Sequence, residues 1–247
     1  MTASSNFHDT DPSGLQTLER FARAGRFNRW LFETIYPYCS GKVLEVGSGI
    51  GNLSRFFLEK KFLLTASDLR DEYCNILHEK FGRNPYLEAI QPIDLTLPGF
   101  EMHYHSMTGK FNTIVALNVI EHIKDAGLAI NNCKKLLMPG GCMVILVPAY
   151  PFLYNELDKE LGHFIRYTSG TLQQLLQQEK LEIIHKEYFN AAGIPGWFLN
   201  GTLFRKRIVP RAQLQLFDKL VPVMKLADTI TFHRIGLSVI AVARKSR

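Results

Sequence analysis

Residues 42–52 read Lys-Val-Leu-Glu-Val-Gly-Ser-Gly-Ile-Gly-Asn, a short apolar run that leads into a loop with three glycines. The apolar run, Val43 to Val46, is bounded by glycine in the way that is typical of a buried strand. Glycine lets the following loop turn tightly and lets a ligand approach its backbone. The helix predicted at 52–61 would direct its first amide groups at that loop, where they favour polar or negatively charged groups.

The chain on both sides of this stretch alternates between apolar runs and helical spacing of apolar residues. Strands are predicted at 43–46, 62–67, 86–90, 111–117, 142–147, 181–189 and 237–243. Helices are predicted at 15–38 with a break at Gly25, at 52–61, 72–81, 126–137 and 169–178, with a loop at 98–110 and an irregular, helical segment at 190–235. This alternation predicts an α/β fold, a Rossmann-like doubly wound sheet with helices on both faces.

Four polar residues stand at the ends of the first four predicted strands: Glu45, Asp68, Asp94 and Asn118. Ligands of doubly wound sheets bind beyond the carboxyl ends of the strands, so these side chains should converge on one crevice. There Asp68 suits the two hydroxyl groups of a ribose, and Asp94 can accept a hydrogen bond from an adenine amino group. A glycine loop alone indicates only a nucleotide-like ligand, whereas the loop with these four residues indicates an adenosine.

Residues 42–148 resemble the class I S-adenosylmethionine-dependent methyltransferases. Residues 43–51 match the first motif of that family, residues 118–123 the segment after its fourth strand, and residues 137–141 the turn before its fifth. The resemblance implies S-adenosylmethionine as the cofactor and seven strands, the last of them antiparallel. A nicotinamide dehydrogenase fits less well, because its G-x-G-x-x-G fingerprint places the third glycine one residue later. The residues expected at the cofactor are Glu45, Gly47, Ser48, Gly49, Gly51, Asp68, Leu69, Asp94, Leu95, Asn118, Val119 and His122.

Three segments outside this core indicate a subgroup of the family: residues 27–30, 156–167 and 190–197. Together they are similar to bacterial methyltransferases of glycan and glycolipid pathways, which usually read Gly-His-x-Arg-Arg-Tyr where this chain has Ile165 in place of the first arginine. The resemblance implies O-methylation of a small-molecule or lipid-linked acceptor, such as a glycan or glycolipid precursor.

A weaker similarity connects Glu121 and His122 with the ubiquinone-pathway O-methyltransferases, so a quinone or aromatic-ring acceptor is the alternative. In those enzymes this pair and an earlier glutamate hold a divalent metal. Asn118 stands at the earlier position here and is a poorer ligand for a hard cation, so no metal is expected. A third hypothesis, of a different class, is that the protein binds S-adenosylmethionine without catalysing a reaction. The intact glycine loop argues against it.

Methyl transfer to a hydroxyl group needs a base and groups that position the acceptor. His163 is the predicted base, because histidine titrates near neutral pH and this residue lies in a loop expected at the rim of the crevice. Arg166 and Tyr167 share the loop and are expected to orient the acceptor. The alternative for His163 is a structural role, in which it bonds Asp158 or a backbone carbonyl.

Positive charge is concentrated at the end of the chain. Residues 201–247 hold 10 lysines and arginines against Asp218 and Asp228, within a net charge of +6 for the whole chain. A basic and aromatic segment at 197–211 predicts either a peripheral membrane contact or a lid packed on the sheet. Nucleic acid is not expected as a partner, because the patch is local and shows no known binding module.

The chain is predicted to form a single domain at 15–247 after a disordered tail at 1–14. Within it we expect a helical cap at 15–40, a cofactor core at 42–148 and an acceptor side at 150–235. The sequence shows no signal peptide and no apolar run of transmembrane length. Its four cysteines form no C-x-x-C pair, which is typical of free thiols in a reducing compartment. These features predict a cytoplasmic protein, in which residues 197–211 either contact a membrane or form a lid; the sequence does not determine the oligomeric state.

Overall fold

The structure is a computed structural model that describes residues 12–247. Residues 1–11 of the predicted tail lie outside the described residues, and the first helix begins at Pro12. The strands are β1 Lys42–Val46, β2 Leu63–Ser67, β3 Leu87–Gln91, β4 Phe111–Leu117, β5 Leu137–Pro148, β6 Leu181–Phe189 and β7 Ser238–Lys245. The helices are α1 Pro12–Ala22, α2 Gly25–Ile35, α3 Ser54–Glu59, α4 Asp71–Phe81, α5 Phe100–His103, α6 Ala126–Leu136, α7 Glu156–Glu160, α8 Ser169–Gln178, α9 Gly193–Trp197, α10 Arg211–Lys219 and α11 Val221–Ile230, with a π-helical segment Phe198–Leu203 after α9.

The strands form one seven-stranded sheet in the order β3-β2-β1-β4-β5-β7-β6. Strands β1 to β5 are parallel to one another, whereas β7 runs antiparallel to β5 and β6. The predicted Rossmann-like sheet with an antiparallel last strand is therefore confirmed. Chain order reverses between β1 and β4, and a doubly wound sheet binds its ligand beyond the carboxyl ends of the strands at this switch point.

Alternate residues of the central strands supply two apolar cores, one on each face of the sheet. Leu44 and Ile114 belong to the core that includes α6 and α8, and Val43 and Val115 belong to the core that includes α2 and α3. Each fully buried aliphatic side chain stabilises the fold by about 1.5–3 kcal/mol relative to an exposed one. A slip of one residue would exchange the two faces, so burial fixes the register and thereby the position of each strand-end residue.

Helices α1, α2 and α10 pack together at one end of the sheet. Arg20 Nη1 donates a hydrogen bond to Val209 O at 2.6 Å, and Asp218 Oδ1 accepts one from Phe27 N at 2.9 Å. The predicted break at Gly25 is confirmed, because α1 ends at Ala22 and α2 begins at Gly25. Among the described residues, no helix is long and apolar enough to cross a membrane.

Two segments differ from the prediction. The predicted loop at 98–110 contains α5 and a 3-10 turn, because Phe100, Tyr104 and Met107 are spaced to bury against the core. Strand β5 begins at Leu137 instead of 142, because Leu137 pairs with Phe111 before a break in register.

Candidate active site

A cavity of about 770 Å³ lies at the carboxyl ends of β1, β2 and β4, a size that suits a ligand site. The glycine loop and the strand ends form one side of it. The rest is formed mainly by residues of α1 and α2, by residues within 160–166, by the end of β6 and by α9 to α10. One cavity therefore brings together the predicted cofactor residues and the predicted acceptor loop.

The glycine loop can follow its path only because two of its glycines lack a side chain. Gly47 has φ +70°, and a Cβ there would lie 2.5 Å from Val119 Cγ2. Gly51 has φ +83°, and its Cβ would meet Phe81 Cε2 at 2.3 Å. Both contacts are shorter than side chains tolerate, and positive φ adds strain for other residues. Gly47 thus keeps the cavity floor open, and Gly51 lets α4 pack against the loop.

Asp68 fixes the glycine loop to the end of β2. Its Oδ2 accepts a hydrogen bond from Gly49 N at 3.0 Å, and its Oδ1 accepts one from Arg70 N at 3.1 Å. Burial raises the pKa of this carboxyl, although the amide hydrogen bonds act in the opposite direction. Ser48 adds a second link, because Ser48 N donates to Ser67 O at 2.8 Å. The acid that the sequence assigns to a ribose therefore also orders the loop beside it.

Glu45 lies beneath the loop, where it bonds the hydroxyl group of Ser54 at the start of α3. Burial raises the pKa of Glu45 to about 7, against opposing hydrogen bonds from Ser54 and Ser48. The side chain is buried but reaches the cavity wall. It can thus accept hydrogen bonds from the polar end of a ligand in the loop.

The third and fourth strand ends complete the cofactor side. Asp94 Oδ1 accepts hydrogen bonds from the backbone and hydroxyl group of Thr96, both at 2.7 Å. Asn118 adopts a left-handed conformation with φ +54°, which asparagine tolerates better than most residues, and its N–H donates to Leu146 O at 2.8 Å. All predicted cofactor residues except Gly51 line the cavity: Glu45, Gly47, Ser48, Gly49, Asp68, Leu69, Asp94, Leu95, Asn118, Val119 and His122.

On the acceptor side, His163 forms a buried pair with Asp158. His163 Nδ1 lies 2.8 Å from Asp158 Oδ1, and the same oxygen accepts a bond from Arg166 Nε at 2.8 Å. Burial alone would raise the pKa of Asp158, but the His163 hydrogen bond and the Arg166 charge outweigh it and hold the pKa below its ordinary value. Asp158 is therefore an anion that keeps a proton on Nδ1 and leaves Nε2 as the acceptor nitrogen.

Arg166 and Tyr167, the other two residues predicted to orient the acceptor, lie in different environments. Arg166 lines the cavity, where its guanidinium lies 4.7 Å from the ring centroid of Trp197 and bonds Ala149 O at 2.9 Å. Tyr167 is buried in the apolar core and is not among the described residues that line the cavity. Burial raises its pKa to about 12, so Tyr167 is unsuited to proton removal. The predicted role of Tyr167 in orienting the acceptor therefore has no support in its position.

Glu121 and His122 lie beside this pair. Both carboxyl oxygens of Glu121 are buried without a hydrogen-bond partner among the described residues, and burial raises its pKa to about 8. Its Oε1 lies 3.9 Å from His163 Nε2. Glu121, His122 and His163 offer ligand atoms within 4.8 Å of one another, a donor set for a transition metal rather than magnesium. A metal on Nε2 would occupy the nitrogen that a base requires.

The sequence did not reveal the aromatic lining of the acceptor side. Phe27, Phe189 and Phe217 line the cavity, with the ring centroid of Phe27 5.8 Å from Phe189 and 5.6 Å from Phe217. Trp197 Nε1 and Asn190 Oδ1 are buried, on residues that line the same cavity, and have no hydrogen-bond partner in the described part of the chain. A buried donor and acceptor without partners are suited to polar groups of a ligand. No spacing signal could have shown this, because these residues come from four separate segments.

The fold and the site together define an S-adenosylmethionine-dependent methyltransferase of class I. The chain belongs to this family: the model described as "Methyltransferase domain" matches residues 17–186. The cofactor is S-adenosylmethionine, and the chain is an enzyme. The residues on the cofactor side fit this cofactor, because the glycine loop, Asp68 and Asp94 line one cavity.

Known proteins support this assignment. The chain is 29% identical to a protein named ubiquinone biosynthesis O-methyltransferase from Xanthomonas oryzae pv. oryzae, over 81% of this chain and 83% of that protein. A phosphoethanolamine N-methyltransferase 2 of Haemonchus contortus, solved with S-adenosyl-L-methionine, has a TM-score of 0.61 at 15% identity, over 96% of this chain and 59% of that one. A methyltransferase of Archaeoglobus fulgidus has a TM-score of 0.58 at 14% identity, over 92% and 94%. These comparisons give no support to a glycan or glycolipid acceptor.

Proposed function

We propose that this enzyme O-methylates a hydroxyl group on the aromatic ring of an apolar, lipid-linked acceptor in the cytoplasm. The observation that carries the proposal is the Asp158–His163 pair: His163 lines the cavity that holds the cofactor residues, and the buried Asp158 bonds it from behind. A hydroxyl group must lose its proton during methyl transfer, whereas an uncharged amine can attack without a base. A histidine held by a buried carboxylate is suited to take that proton.

The acceptor hydroxyl gives its proton to Nε2 of His163. The anionic Asp158 stabilises the imidazolium that forms, and Arg166 in turn keeps Asp158 in place. S-adenosylmethionine, when bound, supplies an electrophilic methyl group on a sulfonium. The tautomer and orientation of His163 are set before the acceptor arrives, so little reorganisation is needed during the reaction.

Two observations support an aromatic and apolar acceptor. Phe27, Phe189 and Phe217 offer ring faces and edges against which a planar ring can stack. The similar proteins named ubiquinone biosynthesis O-methyltransferase point in the same direction. Trp197 Nε1 as donor and Asn190 Oδ1 as acceptor would bind further oxygen groups of such a ring.

The proposed cytoplasmic location is supported by the cysteines. All four are free thiols in the structure, in keeping with a reducing compartment.

The test is a panel of acceptors with purified enzyme and isotopically labelled S-adenosylmethionine, with products identified by mass spectrometry. The panel holds a prenylated catechol, plain catechol, a prenyl-phosphate sugar and phosphoethanolamine. We expect a methyl ether on the prenylated catechol, with kcat/KM at least about tenfold above that of catechol, because the chain buries additional apolar area. Transfer to the amine or to the sugar alone would overturn the proposal.

A matched pair of tryptophan variants tests where the acceptor binds. Trp197→Phe removes the unpartnered donor and should raise the KM for the acceptor about five- to tenfold, in line with one lost hydrogen bond. Trp30→Phe changes a buried tryptophan that packs behind Phe27 and Phe189 without lining the cavity, and it should raise that KM less than about twofold because no unpartnered donor is lost. An equal effect of both variants would remove the proposed role of Trp197.

A further inference from the structure

Helix α11 buries apolar side chains on its inner face and also exposes apolar side chains on its outer face. Its inner face packs into the core through Val221 and Met224. Its outer face exposes Val223, Leu226 and Ile230 at 62%, 58% and 66%, at the i, i+3 and i+7 spacing that places them in one row. Leu216, Leu220 and Phe232 are exposed beside them in the chain. We refer to these six residues as the outer apolar face. Monomeric proteins rarely leave so many large apolar side chains together in water without a function.

The charge around the outer apolar face is positive, since Lys219, Lys225 and Arg234 are exposed there. The two carboxylates of this part of the chain are turned inward. Asp218 Oδ1 accepts a hydrogen bond from Phe27 N at 2.9 Å. The buried Asp228 accepts bonds from Asn190 N and Ala191 N, both at 2.7 Å. Lys225 also pairs with the exposed Glu33 at 2.8 Å, a contact of the kind that contributes little in water. The face therefore offers apolar area within a positive rim.

We propose that the outer apolar face binds the surface of an anionic phospholipid bilayer. Leu226 and Ile230 enter the boundary between headgroups and acyl chains, while Lys219 and Arg234 contact lipid phosphates. A second copy of this chain fits the face less well. A twofold contact through this face would place the positive rims of both copies in one interface, where like charges repel.

The position of α10 connects this surface with the site. Leu214 and Phe217 of α10 line the cavity, whereas Leu216 and Lys219 of the same helix face outward. Only the thickness of one helix, about 10 Å, then separates a bound bilayer from the acceptor side. The sequence predicted either a membrane contact or a lid at 197–211, and the surface we propose for the membrane lies further along the chain, at 216–232. The inference does not depend on the chemistry of the acceptor.

The test is cosedimentation of the full chain with vesicles of phosphatidylcholine alone or with one quarter phosphatidylglycerol. We expect binding to the anionic vesicles that weakens as salt is raised, because salt screens the basic groups. The double variant Leu226→Glu with Ile230→Glu should lower the partition coefficient more than about tenfold, because it removes two apolar anchors and adds two negative charges. Lys219→Gln with Arg234→Gln should lower it about fivefold for each charge removed.

Met102→Glu is the control, because Met102 is 85% exposed on α5, outside the outer apolar face, and its replacement should leave vesicle binding unchanged. Circular dichroism and thermal unfolding establish that every variant is folded. Three results would overturn the proposal: no binding of the unaltered chain to anionic vesicles, equal binding by the glutamate variant, or a glutamate variant that only turns a dimer into a monomer. None of these results bears on methyl transfer, so failure here leaves the proposed function to its own test.

Discussion

The substitution His163→Ala tests whether His163 acts as a general base or only supports the structure of its loop. The substitution removes the imidazole but leaves Asp158 bonded to Arg166, so no buried charge is left without a partner. The lost bond to Asp158 should cost about 1.5–3 kcal/mol of the free energy of unfolding, which a domain of ordinary stability tolerates. Loss of a general base should lower kcat about 10²- to 10⁴-fold, or roughly 3–5 kcal/mol in the barrier.

The assay is the initial rate of S-adenosylhomocysteine formation at saturating cofactor and acceptor, followed from pH 5.5 to 9. The pH dependence of the rate should differ between the unaltered enzyme and His163→Ala, because the variant lacks the imidazole that accepts the proton of the acceptor. Added imidazole should restore part of the rate, since the truncated side chain leaves space in the cavity wall. Neither effect is expected if His163 only supports the loop.

Tyr154→Phe is the matched control for His163→Ala. It removes the hydroxyl that donates to His163 O at 2.7 Å, and so disturbs the same loop without touching the imidazole. We expect kcat within about threefold of the unaltered enzyme, as for a single lost hydrogen bond. A rate of His163→Ala as high as that of Tyr154→Phe, with the pH dependence of the unaltered enzyme, would refute the assignment of His163 as the base.

Three further predictions concern the cofactor side and the metal. Asp68→Ala should raise the Kd for S-adenosylmethionine about ten- to hundredfold by calorimetry, because a charged acceptor is lost, whereas Asp71→Asn in the exposed first turn of α4 should not change it. Glu45→Gln should make the free energy of unfolding less dependent on pH. Burial raises the pKa of Glu45 from 4.5 to about 7, so the folded state binds this proton more tightly than the unfolded state does. The free energy of unfolding of the unaltered chain should therefore fall as pH rises through this window, by at most about 1.4 kcal/mol per pH unit, and urea titrations at pH 5 and 7 measure the difference between the two chains. Dialysis against EDTA should leave kcat unchanged, because His163 acts as a free base, and a loss that a divalent cation restores would instead make His163 a ligand.

The cofactor side could be predicted from the sequence because each of its parts is local. A strand, the loop after it and the acid at the end of the next strand lie close together in any doubly wound sheet, whatever the rest of the chain does. Glu45, Asp68 and Asn118 therefore reached the cavity as expected. Gly51 did not, because its absent side chain makes room for Phe81 rather than for a ligand, and a glycine in a motif does not show which neighbour requires it.

The different environments of Arg166 and Tyr167 follow from the alternation of side chains along an extended chain, a pattern that the sequence could have revealed. Tyr167 forms a bridge with Ala149 beside the sheet, so the chain there is extended. Successive side chains of an extended chain point to opposite sides. Arg166 faces the cavity, and Tyr167 therefore turns into the core. Treating the loop as one functional unit overlooked this alternation.

The acceptor side could not be predicted because it exists only after the chain has folded. Phe27 comes from α2, Phe189 ends β6, Trp197 ends α9 and Phe217 lies on α10, and no window of sequence contains them together. The core of the sheet fixes β6 and α2, whereas α10 packs on the helices α1, α2 and α11 and is bonded to α2 through Asp218 and Phe27 N. Substitutions in 190–235 can thus reshape the acceptor side while Asp68 and the glycine loop stay in place. This separation lets one methyltransferase fold serve different acceptors, and it explains why a clear cofactor motif reveals so little about the substrate.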